Sequence, residues 1–499
     1  MDIINNLVLG FSIALTWENF FLCFVGVTIG TLIGVLPGIG PAATISLLLP
    51  GTYYLSPIPA VIMLSGVFYG AMYGGSITSI LVNIPGEAAS VVTCLDGYQM
   101  ALQGRAGAAL GISAFGSFIA GTVGVVGLMI AAPPLSKFAL QFGPPEYFSL
   151  IFLAFSLVTY LAAGSMLKAL MMVVLGLFLG SIGTDFITGD LRFTYGSLTL
   201  SDGVGLVPIV MGIFGVAEVL ENIEREAKEG QILRTKLKGL FPNLKDWKDS
   251  IAPIIRGTFV GFIIGMLPGG GSIIASFSSY ALEKRISKHP ERFGKGAIEG
   301  VAAPESANNS AVSANFIPLM TLGIPTNVVM ALVLGALMIH GIRPGPTLIQ
   351  ENPALFWGLM TSMYIGNAML LLLNLPMIGL WVRILSVPYR VLFPLILLFC
   401  LIGSYSLNSN IWEIFIMVIF GISGYLLRKF EYEAAPLVFA LVLGPMMENA
   451  LRQSLLMSEG SFDIFFIRPI SCILLIPGVV LFAFPLLPWF KRKQHTEEL

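Results

Sequence analysis

Gly257-Thr258-Phe259-Val260-Gly261-Phe262-Ile263-Ile264-Gly265-Met266-Leu267-Pro268-Gly269-Gly270-Gly271 is the stretch whose reading decides the fold. Three glycines spaced by four are followed by Leu-Pro-Gly-Gly-Gly. The pattern returns 231 residues earlier as Gly26, Gly30 and Gly34, then Leu36-Pro37-Gly38-Ile39-Gly40. A glycine ladder lets apolar helices pack closely. A Pro-Gly cluster inside an apolar run unwinds the helix, and backbone is left unwound at membrane depth only where protein or a water-filled cavity surrounds it. Interrupted helices in matching places of two halves point to a transport site.

Composition sets the frame. The 499-residue chain is 56% hydrophobic and 11% charged, with mean hydropathy +0.87. Such a chain is a membrane protein, and at about 20 apolar residues per span it has room for about ten to twelve passes. A net charge of -1 leaves no basic surface for nucleic acid. Cys23, Cys94, Cys400 and Cys472 form no paired motif, so neither a disulfide framework nor a metal knuckle is expected. Met1 to Asn6 lacks a basic segment, so no cleaved leader is expected.

Apolar runs recur along the chain. Residues 7–16 read as an interfacial helix or a short span. Longer runs follow at 20–50, 58–82, 107–131, 147–163, 166–183 and 204–220. After a charged stretch they resume at 251–282, 354–380, 389–407, 411–427, 434–450 and 463–487. The expected fold is all-α: a polytopic membrane protein with broken or re-entrant helices and two repeats. The first repeat is read as 1–220 and the second as 251–499, joined by an amphipathic surface linker over 221–250.

The repeat reaches beyond the ladders. Asn83-Ile84-Pro85-Gly86 follows the first break as Gly323-Ile324-Pro325-Thr326 follows the second, now 240 residues apart. A nine-residue insertion fits the basic loop 283–299, which holds Lys284, Arg285, Lys288, Arg292 and Lys295. That loop and the tail Lys491-Arg492-Lys493 are expected in the cytoplasm by the positive-inside rule. Residues 251–282 then read either as a re-entrant hairpin with Pro268–Gly271 at its tip or as one span broken in the middle. Basic flanks favour the hairpin, with arms of about eleven residues, each reaching about half the bilayer.

Candidate site residues cluster at these interruptions. Unwound backbone exposes carbonyls for Na⁺ and helix N-termini for carboxylates. The expected substrate-binding set is Pro37, Gly38, Gly40 and Thr44, with Asn83, Pro85 and Gly86, then Pro268, Gly269, Gly270, Gly271 and Ser272, and Pro325, Thr326 and Asn327. Gly38, Gly269 and Gly323 are expected to share in cation binding, joined by Glu305, Ser306, Asn308 and Asn309. Those polar groups border an apolar run and are costly at bilayer depth unless they face a cavity. Arg105, Arg343 and Lys168 read as loop anchors or a snorkelling side chain, so backbone N–H groups and hydroxyls must carry much of an anion's binding.

Enzyme chemistry is not expected. His289, His340 and His495 stand apart, and no metal pair, nucleophile elbow or nucleotide-binding loop is present. No cofactor is expected beyond a coupling Na⁺ or H⁺.

Several stretches resemble one family. Gly30-Thr31-Leu32-Ile33-Gly34-Val35-Leu36-Pro37-Gly38-Ile39-Gly40-Pro41 is similar to the signature of the large membrane subunit of tripartite tricarboxylate transporters, the TctA type. So are Tyr69 to Ser76, Asn83 to Gly86, Gly294-Lys295-Gly296, Pro304 to Asn309, Gly323 to Thr326 and Gly341 to Pro346. The resemblance spans essentially the whole chain. It implies a multi-pass protein of the bacterial inner membrane that imports carboxylates such as citrate with Na⁺ or H⁺. It further implies inverted repeats, an elevator-type alternating access, a small four-helix membrane subunit and a periplasmic solute-binding protein as partners. The competing reading is an uncoupled channel for small organic anions.

Overall fold

The computed structural model describes residues 3–36, 40–162, 165–185, 187–224, 240–384 and 389–483. It is almost entirely helical. The first half contains α1 (Ile3–Ala14), α2 (Trp17–Val35), α3 (Pro41–Thr52), α4 (Pro57–Val82), α5 (Ala106–Ala139), α6 (Pro144–Leu161), α7 (Met166–Gly180) and α8 (Leu206–Glu224). The second contains α9 (Leu244–Gly265), α10 (Gly271–Ile286), α11 (Glu299–Leu322), α12 (Val328–Ile339), α13 (Pro353–Asn374) and α14 (Ile378–Ile384). It ends with α15 (Tyr389–Asn408), α16 (Ile411–Lys429), α17 (Ala435–Met457) and α18 (Pro469–Ala483). A helical run over 88–102 links α4 to α5, and a short antiparallel hairpin, Gly183–Thr184 with Leu191–Arg192, follows α7.

Among the described residues, seven helices are long and apolar enough to cross a membrane, and five shorter apolar helices accompany them. α11 is not among them: it carries many polar side chains, yet it is buried almost throughout. Residues 302–310 are therefore the interior of a helix, not the continuation of a loop.

Both glycine ladders are helix contacts. A methyl on Gly26, Gly30 or Gly34 would come within 2.3, 2.4 and 2.2 Å of the carbonyl oxygens of Met63, Val67 and Ala71. On Gly257, Gly261 or Gly265 it would come within 2.3, 2.1 and 2.6 Å of those of Ala303, Ala307 and Ala311. Apolar burial does not drive helices together in lipid, so this close backbone packing supplies the association. The registers rise together, so α2 runs parallel to α4 and α9 runs parallel to α11. The helix between each pair must run back.

That geometry decides between the two readings of 251–282: it is a hairpin. Arg256 on α9 donates to both carboxylate oxygens of Glu283 on α10, at 2.6 and 2.7 Å, tying the arms together well below the tip. The arms are longer than the eleven residues expected. Asn243 caps α9 by accepting from the Asp246 N–H at 2.9 Å, which starts the helix inside the charged stretch. At 1.5 Å per residue, 22 and 16 residues give about 33 and 24 Å. Ala303 stands 240 residues after Met63 while Gly257 stands 231 after Gly26, so the extra residues lie between α9 and α11. The connections there are 287–298 and, in the first half, 53–56.

The halves are inverted. Ser76, late in α4, donates to Glu305, early in α11, at 2.5 Å. Tyr69 and Tyr73, earlier in α4, share a small cavity with Asn309, Val312 and Ser313, later in α11. Equivalent helices thus run antiparallel, as the fold expectation requires. Each half also places one long helix on the other. α5 packs on α11, where Asn309 donates to Ser117 at 2.7 Å. α13 packs on α4 and α2, where Tyr73 donates to Asn367 at 2.5 Å.

The peripheral pairs α6–α18, α7–α17 and α8–α16 surround this centre. Charge divides the ends of the bundle. Among the described Lys and Arg, only Lys137, Arg192, Arg343, Arg452 and Arg468 lie at the end that carries 140–143, 181–205, 340–352 and 458–468.

Candidate functional site: paired helix breaks beside a buried carboxyl network

The second break is built from its backbone outward. α11 stops at Gly323, whose φ of 70° is left-handed, and the Ile324 N–H returns to the Pro318 carbonyl at 3.2 Å. Pro325 prevents continuation. Thr326 donates to the Asn315 side-chain oxygen at 2.9 Å, and its own carbonyl accepts the Gly269 N–H at 2.9 Å. Asn327 then caps α12 by accepting from the Met330 N–H at 3.0 Å. Gly269, Thr326 and Asn327, singled out from the sequence, therefore meet at the tip of the α9–α10 hairpin.

The first break repeats the design. α4 stops at Asn83, again left-handed at φ 59°. Gly86 lies so near the end of α2 that a methyl on it would come 2.0 Å from the Gly34 carbonyl. Glu87 caps the next helical turn through the Ala89 N–H at 2.7 Å, in the place that Asn327 holds in the second half. Asn83 is exposed and Pro85 half-buried; their visible role is to end α4. Pro37 and Gly38 lie outside the described residues.

Four helical segments start at these breaks, and they differ. The segments after Glu87 and Asn327 are capped by those side chains. α3 and α10 start at Gly40 and Gly270 with no side-chain cap. A methyl on Gly40 or Gly271 would meet nothing within 4 Å. Thr44 is turned back to the Gly40 carbonyl at 3.1 Å, whereas the Ser272 hydroxyl, in the first turn of α10, is buried without a partner among the described residues. Asn308 Oδ1 and Asn315 Nδ2 are likewise buried and unpartnered among the described residues. Uncapped N-termini with free N–H groups favour anions.

Beside the breaks lies a carboxyl network. Glu305 accepts from Ser76, and from the hydroxyls of Thr93 and Ser113. Asn308 donates to Glu87 at 3.3 Å, and Asn309 donates to Ser117 and to the Glu305 carbonyl at 2.7 and 3.0 Å. Ser306 is committed to its own helix through the Ala302 carbonyl at 2.7 Å. Tyr69, Tyr73, Asn309, Ser313 and Asn367 line a cavity of about 20 Å³, room for one water molecule. Neither Glu87 nor Glu305 has a basic partner among the described residues.

The family model described as "Tripartite tricarboxylate transporter TctA family" matches residues 20–439. The chain belongs to the TctA family. It is 52% identical over 494 residues to an uncharacterised 52.8 kDa protein in the TAR-I ttuC' 3' region of Agrobacterium vitis, covering 99% of this chain and 98% of that protein. It is 51% identical over 234 residues to an uncharacterised protein in the TAR-II ttuC' 3' region of the same organism, covering 47% of this chain and 97% of that protein. No solved structure matches. The family assigns the chain to the membrane part of a tripartite transporter.

In this TctA-family chain, several buried groups gave no sequence signal. Thr93, Ser113, Ser117 and Asn367 come from three elements and converge with Ser76 and Tyr73 of α4 only in the fold. Asp96 is another. Its carboxylate accepts from the N–H groups of Gly294, Gly296 and Ala297 at 2.9, 2.8 and 2.8 Å, and from Tyr280 at 3.0 Å. Positive φ at Gly294 and Gly296 makes the Gly-Lys-Gly stretch an anion nest, closed by a residue of the opposite half.

Proposed function

We propose that the chain is a secondary active importer of carboxylates, a tricarboxylate such as citrate or a related organic acid, driven by a coupled cation. The observation that carries this reading is the pair of uncapped helix starts, α3 and α10, at equivalent breaks of two inverted halves. Neither start has a side-chain cap for its first-turn N–H groups, those after Pro41 in α3 and those from Gly271 in α10, and Gly40 and Gly271 leave the approach open. The substrate set is the one read from the sequence, with carboxylates nearest Gly40, Gly271 and Ser272. A coupled Na⁺ or H⁺ offsets substrate charge, at the carbonyls of the breaks and around Glu305, Asn308 and Asn309.

The chain divides into repeats 1–220 and 251–499 joined by 221–250, and one part of the bundle carries the site past the other in an elevator motion. The end poor in Lys and Arg faces the periplasm, where a solute-binding protein delivers substrate, and a small four-helix subunit completes the membrane complex. The loop 283–299 and the C-terminus are then cytoplasmic, in a bacterial inner membrane.

Uptake of radiolabelled citrate into proteoliposomes, with and without Na⁺ and pH gradients and the binding protein, tests this. Saturable uptake that needs a gradient supports import; passive flux without the binding protein supports the channel. Gly40→Leu has space to fold and is expected to abolish uptake while the protein still assembles. Undiminished uptake by Gly40→Leu and Ser272→Ala together would remove the site.

A further inference from the structure

Glu87 does a job that needs no charge. At the matching place of the other half, a neutral amide, Asn327, caps its helix with the same extended backbone, φ -152° against -147°. A carboxyl at Glu87 is surplus to capping. It is also buried, at 8% exposure, with no basic partner among the described residues. An uncompensated carboxylate at that depth is held only if something positive joins it.

A second observation shows where. Asn308, 1% exposed, donates its amide N–H to Glu87 at 3.3 Å, while its side-chain oxygen has no partner among the described residues. A half-turn of the amide would present that oxygen to a carboxyl O–H. Asn308 thus offers Glu87 a donor when it is ionised and an acceptor when it is protonated.

Space selects the cation. A methyl on Gly75 would come 2.9 Å from Glu87 Cγ, and one on Gly86 2.0 Å from the Gly34 carbonyl. A metal cation needs several oxygen ligands around it; a proton needs no volume. The other titratable groups facing this point are already engaged. Glu305, across Asn308, holds three hydroxyls. From α4, Tyr73 donates to Asn367 and Tyr69 lies against Cys23 of α2. On α10, Tyr280 is bonded to Asp96 and Glu283 to Arg256. Cys94 follows on the same helical run as Glu87.

We propose that Glu87 is the proton-carrying carboxyl of the transport cycle, with Asn308 as its partner in both protonation states. This rests on the importer reading. One proton adds to a Glu87 carboxylate oxygen from the side where substrate is loaded, forming an O–H. It leaves as H⁺ on the opposite side, so one positive charge enters with each substrate.

Two measurements on the full chain in lipid vesicles decide it. The infrared band of a protonated carboxylic acid should be present near neutral pH in the wild type and in Glu87→Asp. It should lose the intensity of one carboxyl in Glu87→Gln. With an imposed gradient of about one pH unit, one coupled proton accumulates citrate about tenfold, and Glu87→Gln should show no accumulation. A band of undiminished intensity in Glu87→Gln overturns the assignment, as does accumulation equal to wild type or driving of the wild type by Na⁺ alone. Glu87→Asp, eluting and absorbing as wild type, excludes a folding defect. If the wild type moves no citrate, the importer reading fails on its own, and the infrared band still decides whether Glu87 holds a proton.

Discussion

Glu87 and Asn327 occupy one position in two inverted halves, and they show how the molecule divides labour. Both cap a helical segment after a Pro-broken helix, and both follow a left-handed residue four positions earlier, Asn83 and Gly323. The scaffold is duplicated; the polarity is not. α11 presents Glu305, Asn308, Asn309, Ser313 and Asn315, where α4, 240 residues earlier, has Ser65, Phe68, Tyr69, Tyr73 and Gly75. The chemistry is therefore shared between one half's α11 and the other half's break at Glu87, which only the inversion brings together. A site split in this way changes whenever the halves move.

The largest expected effect tests the duplicated part. Gly261→Leu forces a side chain into the Ala307 carbonyl, 2.1 Å from where its Cβ must lie. Backbone cannot yield there without parting α9 from α11, so the loss is about 4 kcal/mol or more. Gly30→Leu, against Val67 at 2.4 Å, should do the same. Both are checked by the yield of monodisperse protein after extraction. If one variant assembles normally, the two ladders are not equivalent supports.

Next in size is Asp96→Ala, which removes the carboxylate that joins 88–102 to the Gly294–Ala297 nest of the other half. Three backbone donors and Tyr280 lose their acceptor. Hydrogen bonds to a charged group contribute about 1.5 to 3 kcal/mol, so a fall of about 3 kcal/mol is expected. A thermal-unfolding shift followed by tryptophan fluorescence measures it. No shift would mean that the halves are held by helix packing alone.

The smaller break test is Asn327→Ala. Loss of an N-cap costs about 1 kcal/mol, and the Met330 N–H is left without its acceptor. Thermal unfolding should fall slightly while the infrared carboxyl band of Glu87 stays. Loss of that band would show that the two positions are coupled rather than merely equivalent.

Much of this was legible in the sequence, for identifiable reasons. Glycines at a spacing of four report helix contacts, because only a missing side chain permits an approach of 2.1 to 2.6 Å to a carbonyl. The change of offset from 231 to 240 reported the longer connection before α11. Helix direction was not legible, because composition is the same read either way along a helix. Only the fold separates hairpin from broken span, by the parallel run of α9 and α11 and by Arg256 on Glu283 across the two arms. The partners of Glu305 were not legible either. Ser76, Thr93 and Ser113 are ordinary hydroxyls in three separate elements, and no spacing links them. Glu87 stood in view beside its proline, but its meaning came from comparison with Asn327, which required the inversion.

The smallest effect concerns the two ends of the bundle. At the end poor in Lys and Arg, Asp185 anchors the hairpin after α7. Its carboxylate is held down to about 2, first by the N–H groups of Thr188 and Ile187, at 2.9 and 2.7 Å, and then by Arg192 and Arg452. Its ordinary value is 3.8. A lowered value means that the stability from these bonds is complete above the ordinary value and is lost as pH falls towards about 2. Between pH 8 and 5 this hairpin should therefore be indifferent to pH, in contrast to the proton-binding break at Glu87. Hydrogen exchange of the 187–190 amides measures the difference. Protection that is level across that range and drops only below the ordinary aspartate value is expected, and Asp185→Asn should abolish the drop. A fall in protection near neutral pH would show that this hairpin senses the protonation of the break at Glu87, and the separation between a fixed end and a titrating break would have to be given up.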